Sequence, residues 1–82
     1  MRLDKYLKVS RLIKRRTIAN EACDAGQIEV NGKAARASYE VKVGDKITIT
    51  FGERKLNVTV VDIREHTGED LAKEMYVLEA RS

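Results

Sequence analysis

Eighty-two residues with net charge +3, one cysteine, one histidine and no proline or tryptophan set narrow bounds on this chain. A chain of this length makes one domain that buries about 60–65% of its unfolded surface, which leaves no room for a deep catalytic cleft beside the core. The single cysteine excludes an internal disulfide and a cysteine-based zinc site, the charged start at Arg2, Asp4 and Lys5 is not a signal peptide, and nothing approaches the roughly 18 consecutive apolar residues of a membrane helix.

The charge is unevenly spread. Residues 1–36 hold nine Lys/Arg against four Asp/Glu, a net +5, whereas residues 37–82 hold seven against nine, a net −2. Most of the excess lies between positions 2 and 16, where Arg2, Lys5, Lys8, Arg11, Lys14, Arg15 and Arg16 face one acid, Asp4. So dense a cationic surface on a small scaffold points to a polyanion. A merely solvated, solubilising face is the plainer reading of such a run.

The first helix is predicted over Leu3–Val9, with Leu3 and Leu7 as an i, i+4 pair turned inward. Ser10 is expected to cap a following turn that carries Leu12 and Ile13 inward. A second helix is expected from about Arg15 to Ala25. Its inner face is read as Ile18, Ala19, Ala22, Cys23 and Ala25, and Arg16, Asn20 and Asp24 form the opposite ridge, with Thr17 and Glu21 beside it. Gly26 stands where a left-handed C-cap belongs.

From there the periodicity changes to two. Ile28 and Val30 point inward, Asn31-Gly32 predicts a type I′ hairpin turn, and Lys33–Ala35 returns. Residues 36–40 read as a connecting loop and Gly44-Asp45 as a turn. Lys46–Phe51 alternates with Ile47, Ile49 and Phe51 on one face. After a turn at Gly52–Arg54, the residues Leu56, Val58 and Val60 alternate, and that strand is expected to reach Ile63. A loop over His66–Glu69, a helical turn over Asp70–Glu74 and a last strand over Met75–Ala80, with Tyr76 and Leu78 on one face, complete the chain. The fold class is therefore α+β: two N-terminal helices packed on an antiparallel sheet of about five strands. Leu3, Leu7, Ile18, Ala22, Ile28, Val30, Ile47, Ile49, Val58 and Leu78 are expected to share one core.

Enzymatic signals are missing. No glycine-rich phosphate loop has the required spacing. Cys23 has no base placed near it, because the sole histidine, His66, falls in a remote polar loop. The carboxylates are scattered, and no metal or cofactor is expected. The expectation is a non-enzyme.

RLDKYL, KRRTIAN and AGQIEVNGK, taken in that order and spacing, resemble the S-four RNA-binding domain family: a basic-Leu-Asp helix, a basic, hydroxyl-bearing start to helix two, a glycine, and a V-N-G hairpin. The resemblance runs from Arg2 to Lys33. It implies a helix-turn-helix pair (the alpha-L motif) on a small bent sheet, with a core motif over about residues 2–36, the remaining strands over 41–80, and residues 1–82 as a single domain. MRLDKYLKVSRLIKRRTIANE, VKVGDKITITFG and EMYVL are similar to the small free-standing RqcP group, relatives of heat-shock protein fifteen, and an end at Ser82 without a basic extension is expected of that group. This implies an RNA-binding factor of bacterial ribosome-associated quality control. Such a factor binds large-subunit rRNA and P-site peptidyl-tRNA on stalled complexes and assists RqcH in alanine tailing, as a cytoplasmic, ribosome-associated monomer with no membrane partner. A ribosome recycling factor of the heat-shock-protein-fifteen type and a basic protein-interaction module are the alternatives.

On physical grounds Arg2, Arg11, Arg15 and Arg16 are the expected phosphate anchors, because a guanidinium binds phosphate through two parallel bonds. Lys5, Lys8 and Lys14 supply steering charge. Thr17 and Asn20 can donate to phosphate or 2′-hydroxyl oxygens, and Lys33 and Arg36 stand at the rim. Asp4 is expected as structural support, orienting Arg2, Lys8 or an arginine of helix two. Tyr6 and Tyr39 are the only nearby aromatics, with Tyr6 equally suited to the core, so RNA shape and backbone are the expected targets.

Overall fold

Spacing decides the first element: Leu3, Tyr6 and Leu7 stand at i, i+3 and i+4, so one face of a helix can bury all three. In the computed structural model, which describes residues 1–64 and 72–79, that helix is α1 (Leu3–Val9) and the three side chains are fully buried. Its free N-terminal amides are taken up by carbonyls of the later loop, Leu3 N–H by Tyr39 at 2.8 Å and Asp4 N–H by Ala37 at 3.2 Å. An isolated antiparallel bridge between Arg2 and Glu40 extends the same docking.

Ser10 closes α1 instead of opening the next turn. It is the C-cap residue, it is buried, and its hydroxyl donates back to the Leu7 carbonyl at 3.3 Å. Arg11 then takes a left-handed φ of 63°, with its N–H on the Lys8 carbonyl. Ile13 buries as expected and Leu12 packs partly against the core.

Helix α2 (Arg16–Asp24) ends in a Schellman arrangement. Gly26 N–H bonds the Cys23 carbonyl at 3.1 Å, Gln27 N–H bonds the Ala22 carbonyl at 2.9 Å, and Gly26 holds φ +76°. The helix is rotated from the expected setting. Ala19 and Cys23 face inward, Ala22 is only partly buried, Ala25 is exposed and Ile18 is 50% exposed. The large Leu3, Tyr6 and Leu7 of α1 occupy the shared space, so the seam accepts α2's small residues at i, i+4 and turns Ile18 out.

The sheet follows the alternation. Strands β1 (Ile28–Val30), β2 (Lys33–Ala34), β3 (Lys46–Phe51), β4 (Arg54–Val60) and β5 (Tyr76–Leu78) lie in the order β2-β1-β3-β4-β5, all antiparallel. Asn31 and Gly32 take φ 53° and 86°, as the type I′ turn requires. Ile28, Val30, Ile47, Ile49, Val58 and Val60 line the face that packs on the helices.

Three expectations at the margins fail. Phe51 is half exposed, because Ile49 already reaches the end of the covered face at its partner Ile28. Leu78 is 57% exposed on edge strand β5, although its partner Val58 is buried. The fourth strand stops at Val60 because Val61 and Asp62 N–H both turn to the Met75 carbonyl. The fully buried Tyr6 hydroxyl donates to the same carbonyl at 2.7 Å and so ties α1 to the C-terminal segment. A 3-10 turn at Lys73–Met75 occupies part of the expected helical turn. The expected His66–Glu69 loop and the ends of the last two expected elements, Asp70–Leu71 and Ala80, lie outside the described residues.

Candidate nucleic-acid interface

A buried carboxylate organises the basic end of the molecule. Asp4 is only 2% exposed, on the side of α1 turned toward α2. Arg2 reaches it with two bonds, Nε to Oδ1 at 3.1 Å and Nη2 to Oδ2 at 3.3 Å. From α2, Arg16 Nε pairs with Oδ2 at 3.4 Å and Asn20 Nδ2 donates to the same oxygen at 3.3 Å. The Lys5 N–H donates to Oδ1 at 2.8 Å. Burial alone would push the Asp4 carboxyl up, but the bonds from Arg2, Asn20 and Arg16 outweigh it and hold the group below its ordinary 3.8. Asp4 is therefore a carboxylate at neutral pH.

Both arginines stay accessible while they make these bonds, with side chains 49% and 48% exposed. Each guanidinium carries more N–H donors than Asp4 takes up, so its outer edge can still meet an anion. Arg15, the N-cap residue of α2, supplies no side-chain cap, so the first amides of that helix keep no capping oxygen of their own.

Three adjoining hollows run along this side. The first is lined by Asp4, Arg16, Thr17, Asn20 and Glu21. Asn20 is shared with the second, where Arg2 and Arg36 stand with Asp24 and Ser38. Arg36 and Ser38 are shared with the third, which continues past Lys33 to Tyr39. Arg2, Arg16, Thr17, Asn20, Lys33 and Arg36 are thus brought together along one track. Lys8, Arg11, Lys14 and Arg15 stand exposed around the end of α1 and the turn into α2, outside these hollows. Lys5 is half-buried on α1. Ser38 escaped the sequence reading: its place in the track comes from the loop docking on the start of α1, a contact between distant segments.

The rest of this end is inert. Burial, with the charges of Asp4 and Asp24 adding, pushes the Cys23 thiol up to about 11, so it is protonated and not a nucleophile at neutral pH. Tyr6 is wholly core, and its hydroxyl is pushed up by burial, then by Tyr76 and Asp62. The Tyr39 hydroxyl donates to Asp45 at 3.0 Å. Among the described residues no group of His, Cys, Asp and Glu could hold a metal ion, and no helix is long and apolar enough to cross a membrane.

The S4 domain family model matches residues 1–47. The RQC P-site tRNA stabilizing factor of Bacillus subtilis is 50% identical over 78 residues, covering 95% of this chain and 91% of that protein. Its namesake from Streptococcus pneumoniae is 51% identical over 76 residues, covering 93% and 86%. Among solved structures, a trimeric structure of Vibrio cholerae heat shock protein 15 superposes with a TM-score of 0.90 at 30% identity, covering 98% of this chain and 82% of that one.

Proposed function

The chain belongs to the S4 domain family and, within it, to the RQC P-site tRNA stabilizing factors, and from that premise we propose that it is a non-enzymatic, ribosome-associated factor that stabilises P-site tRNA. It contacts large-subunit rRNA and the tRNA through the face that carries Arg2, Arg16, Thr17, Asn20 and Arg36. It works in the cytoplasm as a monomer, beside the RqcH-type partner that extends stalled chains with alanine.

One observation carries the reading most: two guanidinium groups from different helices are anchored on a buried carboxylate while their outer edges remain open to solvent. Phosphate is the ligand such forks suit, since two parallel charge-assisted bonds match its oxygens. Lys8, Arg11, Lys14 and Arg15 surround them with charge that speeds encounter with RNA.

The test is co-sedimentation of the tagged protein with large ribosomal subunits from cells holding stalled nascent chains. The protein is expected in the large-subunit fractions together with tRNA, and treatment of the captured complexes with nuclease should release it. Retention on a protein partner after complete RNA digestion would support a protein-interaction module instead.

A further inference from the structure

The sign of one charge is unexpected. A surface built to meet phosphate places a carboxylate, Asp4, at its centre, and that carboxylate stays ionised. Simple electrostatics would remove it, since each negative charge among the cations weakens attraction to RNA. The geometry supplies a reason to keep it. Asp4 bonds Arg2 through its Nε and one Nη, and Arg16 through its Nε, which leaves the far edge of each guanidinium outward. Free arginine side chains lose much rotamer freedom when they bind, and that loss opposes affinity. A carboxylate behind them removes most of that freedom before RNA arrives. It also fixes the separation of two forks that belong to different helices.

Resting on the RNA-binding reading above, we propose that Asp4 is a positioning residue for RNA recognition. It buttresses Arg2 and Arg16 from behind so that both meet the phosphate backbone already oriented, and neutralising it weakens RNA binding even though the surface gains positive charge. Asn20 completes the buttress: its amide donates to the oxygen that Arg16 uses, and it forms the wall between the hollow beside Arg16 and the one beside Arg2. Glu21 and Asp24 line those two hollows but have no bond to either guanidinium among the described contacts, so Asp4 alone sets their aim.

The experiment is a titration of purified large ribosomal subunits into the fluorescently labelled protein over a range of salt. It compares the parent with Asp4→Asn and Asp4→Glu at a temperature where circular dichroism reports each fully folded. Asp4→Asn is expected to bind about tenfold or more weakly, with the log–log salt dependence flattened by about 1.4, the equivalent of two lost phosphate contacts. Asp4→Glu keeps the charge but displaces the oxygens, and it should fall between the two. In a chain already carrying Arg2→Ala and Arg16→Ala, adding Asp4→Asn should bring no further loss, because the loss passes through those arginines, and the removed negative charge can only favour RNA slightly. Folded Asp4→Asn binding as well as the parent or better overturns the proposal, as does an undiminished loss in the double-arginine background. A readout that needs no variant covers the case where Asp4→Asn does not fold. In the free parent, the Nε–H signals of Arg2 and Arg16 should exchange with water more slowly than that of Arg54, and equal exchange would contradict the buttress. Failure of the parent itself to bind subunits removes the underlying RNA reading as well, whereas binding by the parent with an unimpaired Asp4→Asn removes this inference alone.

Discussion

Two regions of the molecule each bury an aspartate, and the two are used differently. Asp4, 2% exposed, gathers Arg2, Arg16 and Asn20. Asp45, 8% exposed, gathers the Asn31 amide at 3.1 Å, the Tyr39 hydroxyl at 3.0 Å and the Lys42 N–H at 2.9 Å. Burial pushes each carboxyl up and hydrogen bonding more than reverses it, so both titrate below 3.8. The difference lies in the donors. Around Asp4 they are chiefly charged forks with edges to spare and half their surface in water. Around Asp45 they are neutral groups from the hairpin turn, the connecting loop and the turn before β3. A carboxylate held by charged forks can act outward through them; one held by neutral groups from three segments can only fasten those segments together.

The largest expected effect that would break this contrast is on stability at Asp45. Asp45→Ala leaves the Asn31, Tyr39 and Lys42 groups without their partner and should cost about 3 kcal/mol in urea unfolding. Molecules that remain folded should bind large subunits like the parent. A loss of affinity per folded molecule would mean that this region, too, faces RNA. A comparable stability loss is expected from Leu7→Ala, about 2–5 kcal/mol, since Leu7 is fully buried between the helices and the sheet.

Around Asp4 the order reverses. Arg2→Ala and Arg16→Ala should each weaken subunit binding by about 1.5–3 kcal/mol, roughly ten- to over a hundredfold. Their melting temperatures should fall only slightly, because Asp4 keeps its remaining partners. Lys55→Glu on β4 should do far less to binding. The salt dependence of the parent should have a log–log slope of roughly −3 to −5, as four to six phosphate contacts imply, and a flat response would remove the basic face from consideration.

Acid gives the smallest but sharpest comparison. Both groups have folded-state values lowered below 3.8, so the stability they contribute is fully present above that pH and is lost as pH falls through the lowered values. The thermal midpoint should therefore hold from neutrality to about pH 5 and decline below about pH 4, less steeply in Asp45→Asn than in the parent. An equal decline in the two would show that Asp45 is not held as described.

The local features were legible in the residues alone. The bounds of α1, the left-handed Gly26 and the Asn31-Gly32 turn depend on neighbours within a few positions, and the single chain carries that information. The orientation of α2 does not, because which face turns inward depends on the bulk that α1 presents, and Ile18 was lost for that reason. The positions of Phe51 and Leu78 depend on how far the helices cover the sheet, which no alternation reports. At the site, the mass of charge and the supporting part of Asp4 could be read from spacing. Spacing leaves open which of the offered partners Asp4 takes, and tertiary packing settles it on Arg2 and, from α2, Arg16. Tertiary packing also gathers Asn31, Tyr39 and Lys42 on Asp45, which spacing presented only as a turn residue.

The most direct measurement is the structure of the native complex recovered on ribosomes with the tagged chain. Arg2 and Arg16 should lie within about 3 Å of RNA phosphate oxygens, with Asp4 still bonded behind them and β3–β5 turned away from the RNA. A complex in which the RNA meets the sheet while Arg2 and Arg16 point into solvent would contradict the assignment of the binding face.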